Sequence, residues 1–448
     1  MKNFGIQLWR VVDPITNGTY YNTYNYQWNK YFQTVFPIAI FVPSTVPDVQ
    51  ATVKCGFRSR IQLIPNSGAH SYADLSSGTN DTIIVDFRYM NSVDIDEATN
   101  SVTVGPGAFV GHVNAKLWQN GGWGTVLGMC MTVAIGGHAI GGGISLFSSL
   151  YGLVIDNILE MKVVDARGNA VTVNANCNAD LWWAMRGVGP GYIGIVTSIK
   201  LKMFKAKNLK LTFTEAQYKV KDFQNVLANY TQWLDWVKDN EPSVMTTMFV
   251  TNDNYYVPHQ PAKPGVTIQI LHLQDPILQP NSSSNVLEAY PTFFNNANAI
   301  VTNYPSYIQF VIGTGYTPVL AKPQNTSSNP IDNQLNFYST LTKEMAVSRY
   351  FFSKSFYVNK QIRSDELNEV QDVVNEIPNN TMGIQINAEQ GAIGARRATD
   401  SAYVHRNSLF DLRVYYESIS GGDSVVAGKR WLKKFMKATQ FMDSGATY

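Results

Sequence analysis

The chain has 448 residues, 45% of them hydrophobic and 12% aromatic, which is enough apolar material for two cored domains and argues against a disordered chain. Charged residues make up 15% and the net charge is +2, with the basic residues scattered, so the composition excludes an electrostatic nucleic-acid binder and suits small neutral ligands. Three cysteines, Cys55, Cys130 and Cys177, are too few and odd in number for a disulfide framework, so stability must come from packed cores.

Residues 1–35 are rich in Tyr and Asn, have weak periodicity and read as a lead-in. Met1–Trp9 lacks a basic region followed by an apolar core, so no signal peptide is visible. Sequons at Asn17, Asn80, Asn229, Asn281, Asn325 and Asn379 leave localisation open: secreted or vesicular if a leader has been lost, otherwise cytoplasmic. Residues 36–206 form the first expected domain. Phe36–Val42 predicts a strand, and Pro47 with Asp48 opens an amphipathic helix that turns Val49, Val53 and Phe57 toward a core. Ile61–Ile64 predicts a second strand, which runs into PNSGAHSY and presents His70 and Tyr72 from a turn of small residues. Asp81–Met90 and the pair around Val93 and Val102 read as further strands, and Val110, Val113 and Leu117 mark a helix.

Gly121–Gly152 holds ten glycines in thirty-two residues and no formal charge. Glycine is the costliest residue to order, so so dense a run fits a loop system lying flush against a planar or anionic ligand. Its Gly-Gly and Gly-Gly-Gly clusters expose backbone polar groups and exclude a membrane span. Cys130 and His138 are its reactive side chains. Beyond it, Ile158–Val164 and Ala170–Val173 predict a hairpin across Arg167-Gly168, and DLWWAMRG predicts a short helix. Gly189, Gly191 and Gly194 match GxGxxG, but the order is helix, glycines, strand, the reverse of a Rossmann site.

Near Ala206 the composition changes to longer strands and helices, and residues 207–424 form the second expected domain. Strands are expected at Leu209–Phe213, Met245–Thr251, Val266–Leu273, Gly383–Ala388 and Leu409–Tyr416, with helices at Val220–Asp239, Ser284–Asn295 and Ser364–Glu376. That alternation implies an antiparallel sheet covered by helices on one face. The loops Asn252–Pro264 and Pro318–Asp332 are candidates for a cavity rim. Residues 425–448 begin with a basic helix, Val425–Met442, expected to dock by Trp431, Phe435 and Phe441.

The six histidines show no metal-ligand spacing, and neither HExxH nor GxSxG occurs, so metal and serine-hydrolase readings are weak. Four motifs instead carry a resemblance: SGAHSY at Ser67–Tyr72, GMCMTVAIGGHAIGGG at Gly128–Gly143, DLWWAMRG at Asp180–Gly187 and YIGIVT at Tyr192–Thr197. Through them the chain resembles the FAD-linked oxidases of the vanillyl-alcohol-oxidase and p-cresol-methylhydroxylase (PCMH) type, in the berberine-bridge-enzyme-like branch. The resemblance implies an α+β fold, a two-part FAD-binding PCMH-type domain plus a substrate domain. It implies FAD held bicovalently, His70 on the flavin 8α carbon and Cys130 on C6. The implied cofactor contacts are Asn66, Ser67, Gly68, Ala69, His70 and Ser71; Gly128, Cys130, Thr132, Val133, Ile135, Gly136, Gly137, His138 and Gly142; and Gly194, Ile195 and Val196, with no metal.

This chain departs from the branch at several points. Asn66 stands where Arg is common, Ala69 replaces a glycine, Met131 replaces a proline, and Ile144 occupies an aromatic position often filled by a catalytic tyrosine. On the substrate strand it has Asp411 and Arg413, which by period-2 alternation face the flavin. The implied activity is hydride transfer from an alcohol or sugar carbinol carbon to flavin N5, with dioxygen as final acceptor. Tyr72 and Asp411 are the candidate bases, and Arg413 orients base or substrate. A dehydrogenase with another acceptor and an impaired flavin-binding protein remain alternatives. The resemblance also implies a further tail beyond Tyr448, so the chain is expected to be truncated, with the aromatic face of its last helix partly uncovered.

Overall fold

The computed structural model of the chain describes residues 11–15, 18–32, 34–189, 193–241, 243–252, 256–257, 260–261, 265–275, 298–315, 323–324, 326–378, 381–418 and 422–445. The fold is α+β and is built on three main sheets. The first sheet orders Val11–Val12, Ala39–Phe41, Ile83–Asp86 and Leu63–Asn66, parallel except for its short antiparallel edge. Parallel strands need a crossover, and the helix Val46–Ser59 supplies it from Ala39–Phe41 to Leu63–Asn66, with Ile83–Asp86 later filling the place between them. That helix starts where it does because Thr45 and Asp48 form a reciprocal capping box and Pro47 sits in the first turn.

The helix buries Val49, Val53 and Cys55, but Phe57 is 77% exposed, contrary to expectation. Eight residues at 100° each carry Phe57 about 80° round from Val49. Gly56 takes the packing position instead, with Leu63 so close that a Cβ would lie 2.9 Å from it.

The lead-in is also more than a lead-in. Val11 and Val12 pair with Phe41 and Ile40, Tyr21 is buried, and Trp28 packs at the candidate site. Its Tyr and Asn content hides this because the aromatics are used singly, without a helix or strand period.

The second sheet is antiparallel, in the order Val93–Asp96, Ser101–Val104, Ile195–Lys202, Ile158–Val164 and Ala170–Val173. It shares a core with the helix Val110–Gln119 and with the glycine run. The third sheet has seven antiparallel strands: Asn298–Tyr304, Lys210–Tyr218, Gly265–Gln274, Val244–Asn252, Thr381–Ala388, Phe410–Ser418 and Tyr350–Val358. Period-2 alternation divides it cleanly. Ile384, Ile386, Leu412 and Val414 face the helices Phe223–Asn240, Asn368–Asn375 and Asp423–Ala438, while Gln385, Asn387 and Arg413 face the glycine run.

The helices Tyr307–Thr314 and Pro330–Ser339 leave this second unit. Tyr307, Phe310, Val311, Leu335, Tyr338 and Leu341 join the core of the first, so the boundary near Ala206 does not assign everything after it to one body. The edge strands Asn298–Tyr304 and Tyr350–Val358 and the helices Tyr307–Thr314 and Pro330–Ser339 escape sequence patterning. The expected helix Ser284–Asn295 lies outside the described residues, as does most of the expected rim at Asn252–Pro264 and part of that at Pro318–Asp332.

The last helix runs from Asp423 to Ala438 with a single turn at Gln440–Met442. Trp431 and Phe435 are buried, and the Trp431 indole donates to the Val373 carbonyl at 2.9 Å. The expected uncovered aromatic face is therefore covered by this chain's own sheet and its neighbouring helix, and Phe441 alone of the three aromatics is exposed, at 39%.

Candidate functional site

Strand Leu63–Asn66 ends in the loop Ser67–Ser71, and the glycine run folds beside it so closely that a Cβ on Gly68 would lie 2.8 Å from the Ala134 nitrogen. Ala69 sits at φ 58°, the left-handed region that disfavours a side chain. Ala69→Gly should therefore raise stability by up to about 1 kcal/mol, read as a shift in denaturation midpoint; an unchanged or lower midpoint would count against strain at this residue.

Among the described residues the backbone N–H groups of Ser67 to Ser71 have no hydrogen-bond acceptor. They line a cavity of about 270 Å3 together with Pro106, Val133, Gly136, Gly137, His138, Gly194 and Val196. Unpaired backbone donors are expensive to bury, so a row of them marks a place for an anion. Gly137 extends the same surface, since a Cβ built on it meets nothing within 4 Å.

A second cavity, of about 640 Å3, adjoins the first through His70, Tyr72, Val133, Gly137 and His138. One wall is the glycine run with Cys130 and Ile144; the other is the polar face of the seven-stranded sheet, with Glu215, Thr247, Gln269, Gln385, Asn387, Arg413 and Glu417.

His70 and Cys130 meet here on one hydroxyl. Thr132 Oγ1 lies 3.1 Å from His70 Nε2 and 3.4 Å from Cys130 Sγ, and the His70 ring stacks on Trp28 at 5.2 Å. Burial lowers the His70 pKa to about 3, so the ring is neutral with Nδ1 outside the Thr132 contact, and burial pushes the Cys130 thiol up. His138 accepts the Gly128 N–H at 2.9 Å through Nε2, and burial lowers its pKa to about 4.

An unfolded histidine titrates near 6.5, so between pH 6.5 and about 4 the unfolded chain binds more protons than the folded one and stability rises with pH. His138 alone should make the chain lose up to about 3 kcal/mol as pH falls through that window. His138→Gln should flatten that slope in chemical denaturation; an equally steep slope in the variant would place the effect elsewhere.

Not every sequence-predicted site residue reaches these cavities. Asn66 is buried, donating to the Ser76 carbonyl and accepting from Lys343 Nζ at 2.8 Å, so it anchors the loop. Thr132 positions rather than lines, Ile135 and Ile195 are core, and Gly128 and Gly142 pack under His138 and Tyr403. On the side of the glycine run the Val133, Ile135 and Gly136 amides are already bonded to the Cys130, Ala108 and Pro106 carbonyls.

Asp411 and Arg413 share the cavity-side face, but only Arg413 lines the cavity. Asp411 is buried behind Asn387, accepting from its Nδ2 at 2.8 Å, with Arg413 3.6 Å away. Tyr72 stacks on Phe351 at 4.1 Å, and burial pushes its pKa up to about 12. At neutral pH its hydroxyl is a donor, not a base. Trp28, Tyr357, Tyr403 and Glu389 are contributors that sequence patterning misses; Gln385 and Asn387 were readable from alternation along Gly383–Ala388.

Residues 37–174 match the FAD binding domain family, so the first part of the chain is an FAD-binding domain, and the free amides and glycine surface fit a dinucleotide of that kind. Xylooligosaccharide oxidase of Thermothelomyces thermophilus is 36% identical over 202 residues, 45% of this chain and 40% of that protein. Chitooligosaccharide oxidase of Gibberella zeae is 26% identical over 390 residues, 86% of this chain and 72% of that protein. Among solved structures, Physcomitrella patens BBE-like 1 matches with a TM-score of 0.80 at 26% identity, over 98% of this chain and 88% of that one. The match to the first of these relatives thus spans well under half of its length.

Proposed function

We propose that the chain, with its FAD-binding domain and its similarity to oligosaccharide oxidases and a berberine-bridge-enzyme-like structure, is an FAD-linked oxidoreductase that oxidises a carbinol group of a carbohydrate, with dioxygen as the final electron acceptor. The observation that carries this reading is the polar strand face set across one cavity from the glycine run. When bound, FAD would supply the two-electron acceptor for the carbinol hydride and the route by which the pair reaches dioxygen.

The chain's own residues do the rest. The free amides of Ser67–Ser71, beside Gly137, would hold the diphosphate, and His70 and Cys130, poised on Thr132, would form two covalent attachments. Thr247, Gln269, Gln385, Asn387 and Arg413 offer the mixed donors and acceptors that a sugar's hydroxyls need, and Tyr72 on Phe351 offers a flat aromatic face for the sugar's C–H surface.

Asp411 serves as a positioning group, fixing Asn387 and holding Arg413 toward the cavity. Asp411→Asn should lower kcat/KM by about tenfold, equivalent to about 1.4 kcal/mol, without abolishing turnover. Loss of all turnover with normal folding would instead return Asp411 to the role of base.

The test is an aerobic screen of mono- and oligosaccharides and simple alcohols with peroxide detection, paired with anaerobic bleaching of the bound flavin. Bleaching by a sugar, with peroxide on admission of air, supports the reading. Normal flavin content with no bleaching by any of them would overturn it, and bleaching with slow reoxidation in stopped flow would replace dioxygen by another acceptor.

A further inference from the structure

Across the second cavity from His70, two tyrosines are hydrogen-bonded in series to a buried carboxyl. The hydroxyls of Tyr357, on the edge strand Tyr350–Val358, and Tyr403, in the loop before Phe410–Ser418, lie 3.1 Å apart, and both residues line the cavity. Tyr403 donates to Glu389 Oε1 at 2.9 Å. A phenol has one proton, so with that proton committed to Glu389 the donor in the tyrosine pair is Tyr357, and the series has a direction that starts at the cavity wall. The rings are held in place: Tyr357 stacks on His405 at 3.8 Å and 6°, and Tyr403 covers Gly142, where a Cβ would come within 3.2 Å of its ring.

The far end of the series is unfinished. Glu389 is 2% exposed and its second oxygen, Oε2, has no hydrogen-bond partner among the described residues. Glu389 also belongs to the wall of a third cavity, of about 550 Å3, bordered by the exposed Asp235, Lys238, Asp239 and Lys360. The three side chains therefore connect the substrate cavity with a solvent-facing one.

We propose that Tyr357, Tyr403 and Glu389 form a proton relay that carries the proton of the substrate hydroxyl out of the substrate cavity toward the solvent-facing cavity. The inference rests on the oxidoreductase reading above. The substrate O–H bond breaks as its proton joins the Tyr357 oxygen, the Tyr357 proton moves to Tyr403, and the Tyr403 proton moves to Glu389 Oε1. The O–H electron pair stays on the substrate oxygen and becomes the second bond of the carbonyl, while the carbinol C–H pair departs as hydride to FAD. Both tyrosines are neutral before and after, and Glu389 ends as a carboxylic acid that releases its proton toward the third cavity. Tyr72 has no comparable acceptor for its own proton among the described residues, which is why the relay and not Tyr72 meets the need for a base.

The groups facing Glu389 are Tyr403 and Arg406 from its covering loop, Asp411 and Arg413 from the adjacent strand and Tyr357 beyond Tyr403, with Asp235, Lys238 and Asp239 around the third cavity. Burial, and then repulsion from Asp411, holds its carboxyl well above the ordinary range, against the pull of Tyr403, Arg406 and Arg413. Only the carboxylate accepts a proton, so flavin reduction should speed up as pH rises through this titration.

The test uses the flavin-loaded protein and a sugar that the wild type oxidises, in anaerobic stopped flow. Glu389→Gln should slow the limiting rate of flavin reduction about 100-fold or more and flatten the acid limb of its pH profile, while substrate affinity by flavin spectral titration stays within about threefold. Tyr357→Phe should show a similar loss, and the double variant little more. A readout independent of turnover is the infrared carboxylic-acid C=O band. It should titrate well above the usual glutamate range, vanish in Glu389→Gln and move in Tyr403→Phe. Wild-type reduction rate and pH profile in Glu389→Gln, or the absence of such a band, would overturn the relay. If no sugar or alcohol reduces the wild-type flavin, it is the functional reading that fails, and the infrared titration still decides whether Glu389 is a raised, Tyr403-linked carboxyl.

Discussion

Acid precipitation of the His70→Ala, Cys130→Ala double variant should leave flavin in the supernatant, whereas each single variant should carry it into the pellet. The expectation follows from the convergence of two side chains from distant segments on one hydroxyl, with Thr132 Oγ1 3.1 Å from the His70 ring nitrogen and 3.4 Å from Cys130 Sγ. Neutral His70, its pKa lowered to about 3 by burial, keeps a ring nitrogen with a lone pair across the physiological range, and Thr132 holds the ring in place. Cys130 is the weaker partner because burial holds it as a thiol. Incorporation in the His70→Ala variant should accordingly be slower than in Cys130→Ala. Thr132→Val, which removes the shared contact and little volume, should reduce covalent occupancy in otherwise wild-type protein. Quantitative release of flavin from the native protein in acid would show that neither bond exists.

The parallel strands of the first sheet, the strands of the second and the helix-covered face of the third were legible because each obeys a period that burial imposes: continuous apolar strands where both faces are covered, and alternation where one is. Ile83–Asp86 and the Ile384, Ile386, Leu412 and Val414 set are examples. The glycine run was legible for a different reason, since its composition has no use in a core. What escaped were elements whose partners lie far along the chain. Tyr307–Thr314 is apolar almost all round, and only its docking into the first core, about 200 residues earlier, gives it a side. Trp28 reaches His70 from a segment with no period, and Glu389 joins Tyr403 and Tyr357 only after two strands and a loop have closed. Asp411 shows the limit of alternation: it gives the face correctly, but depth on that face is set by Asn387 lying in front of it.

The largest contrast expected from a single methylene position lies in the adjacent glycines 136 and 137, both in the short helix Ile135–Ile140. A Cβ on Gly136 would stand 2.5 Å from Ser67 Oγ and 2.9 Å from Pro106 Cβ, and the Gly136 amide is bonded to the Pro106 carbonyl. Neither neighbour can yield without moving the loop that carries the free amides, so Gly136→Val should destabilise the fold by about 3 kcal/mol or more. Gly137, by contrast, has nothing within 4 Å of a built Cβ and borders both cavities. Gly137→Val should therefore leave the fold within about 1 kcal/mol of wild type, since glycine is the poorer helix former of the two and the new side chain meets no neighbour. Its isopropyl group instead occupies space that the dinucleotide needs, so flavin occupancy should fall by an order of magnitude or more, with Gly137→Ala intermediate. Thermal melts and the ratio of flavin to protein absorbance separate the two effects. A Gly137→Val protein that folds and carries a full complement of flavin would mean that the cofactor does not run past Gly137, and the assignment of the first cavity to the diphosphate would have to be withdrawn.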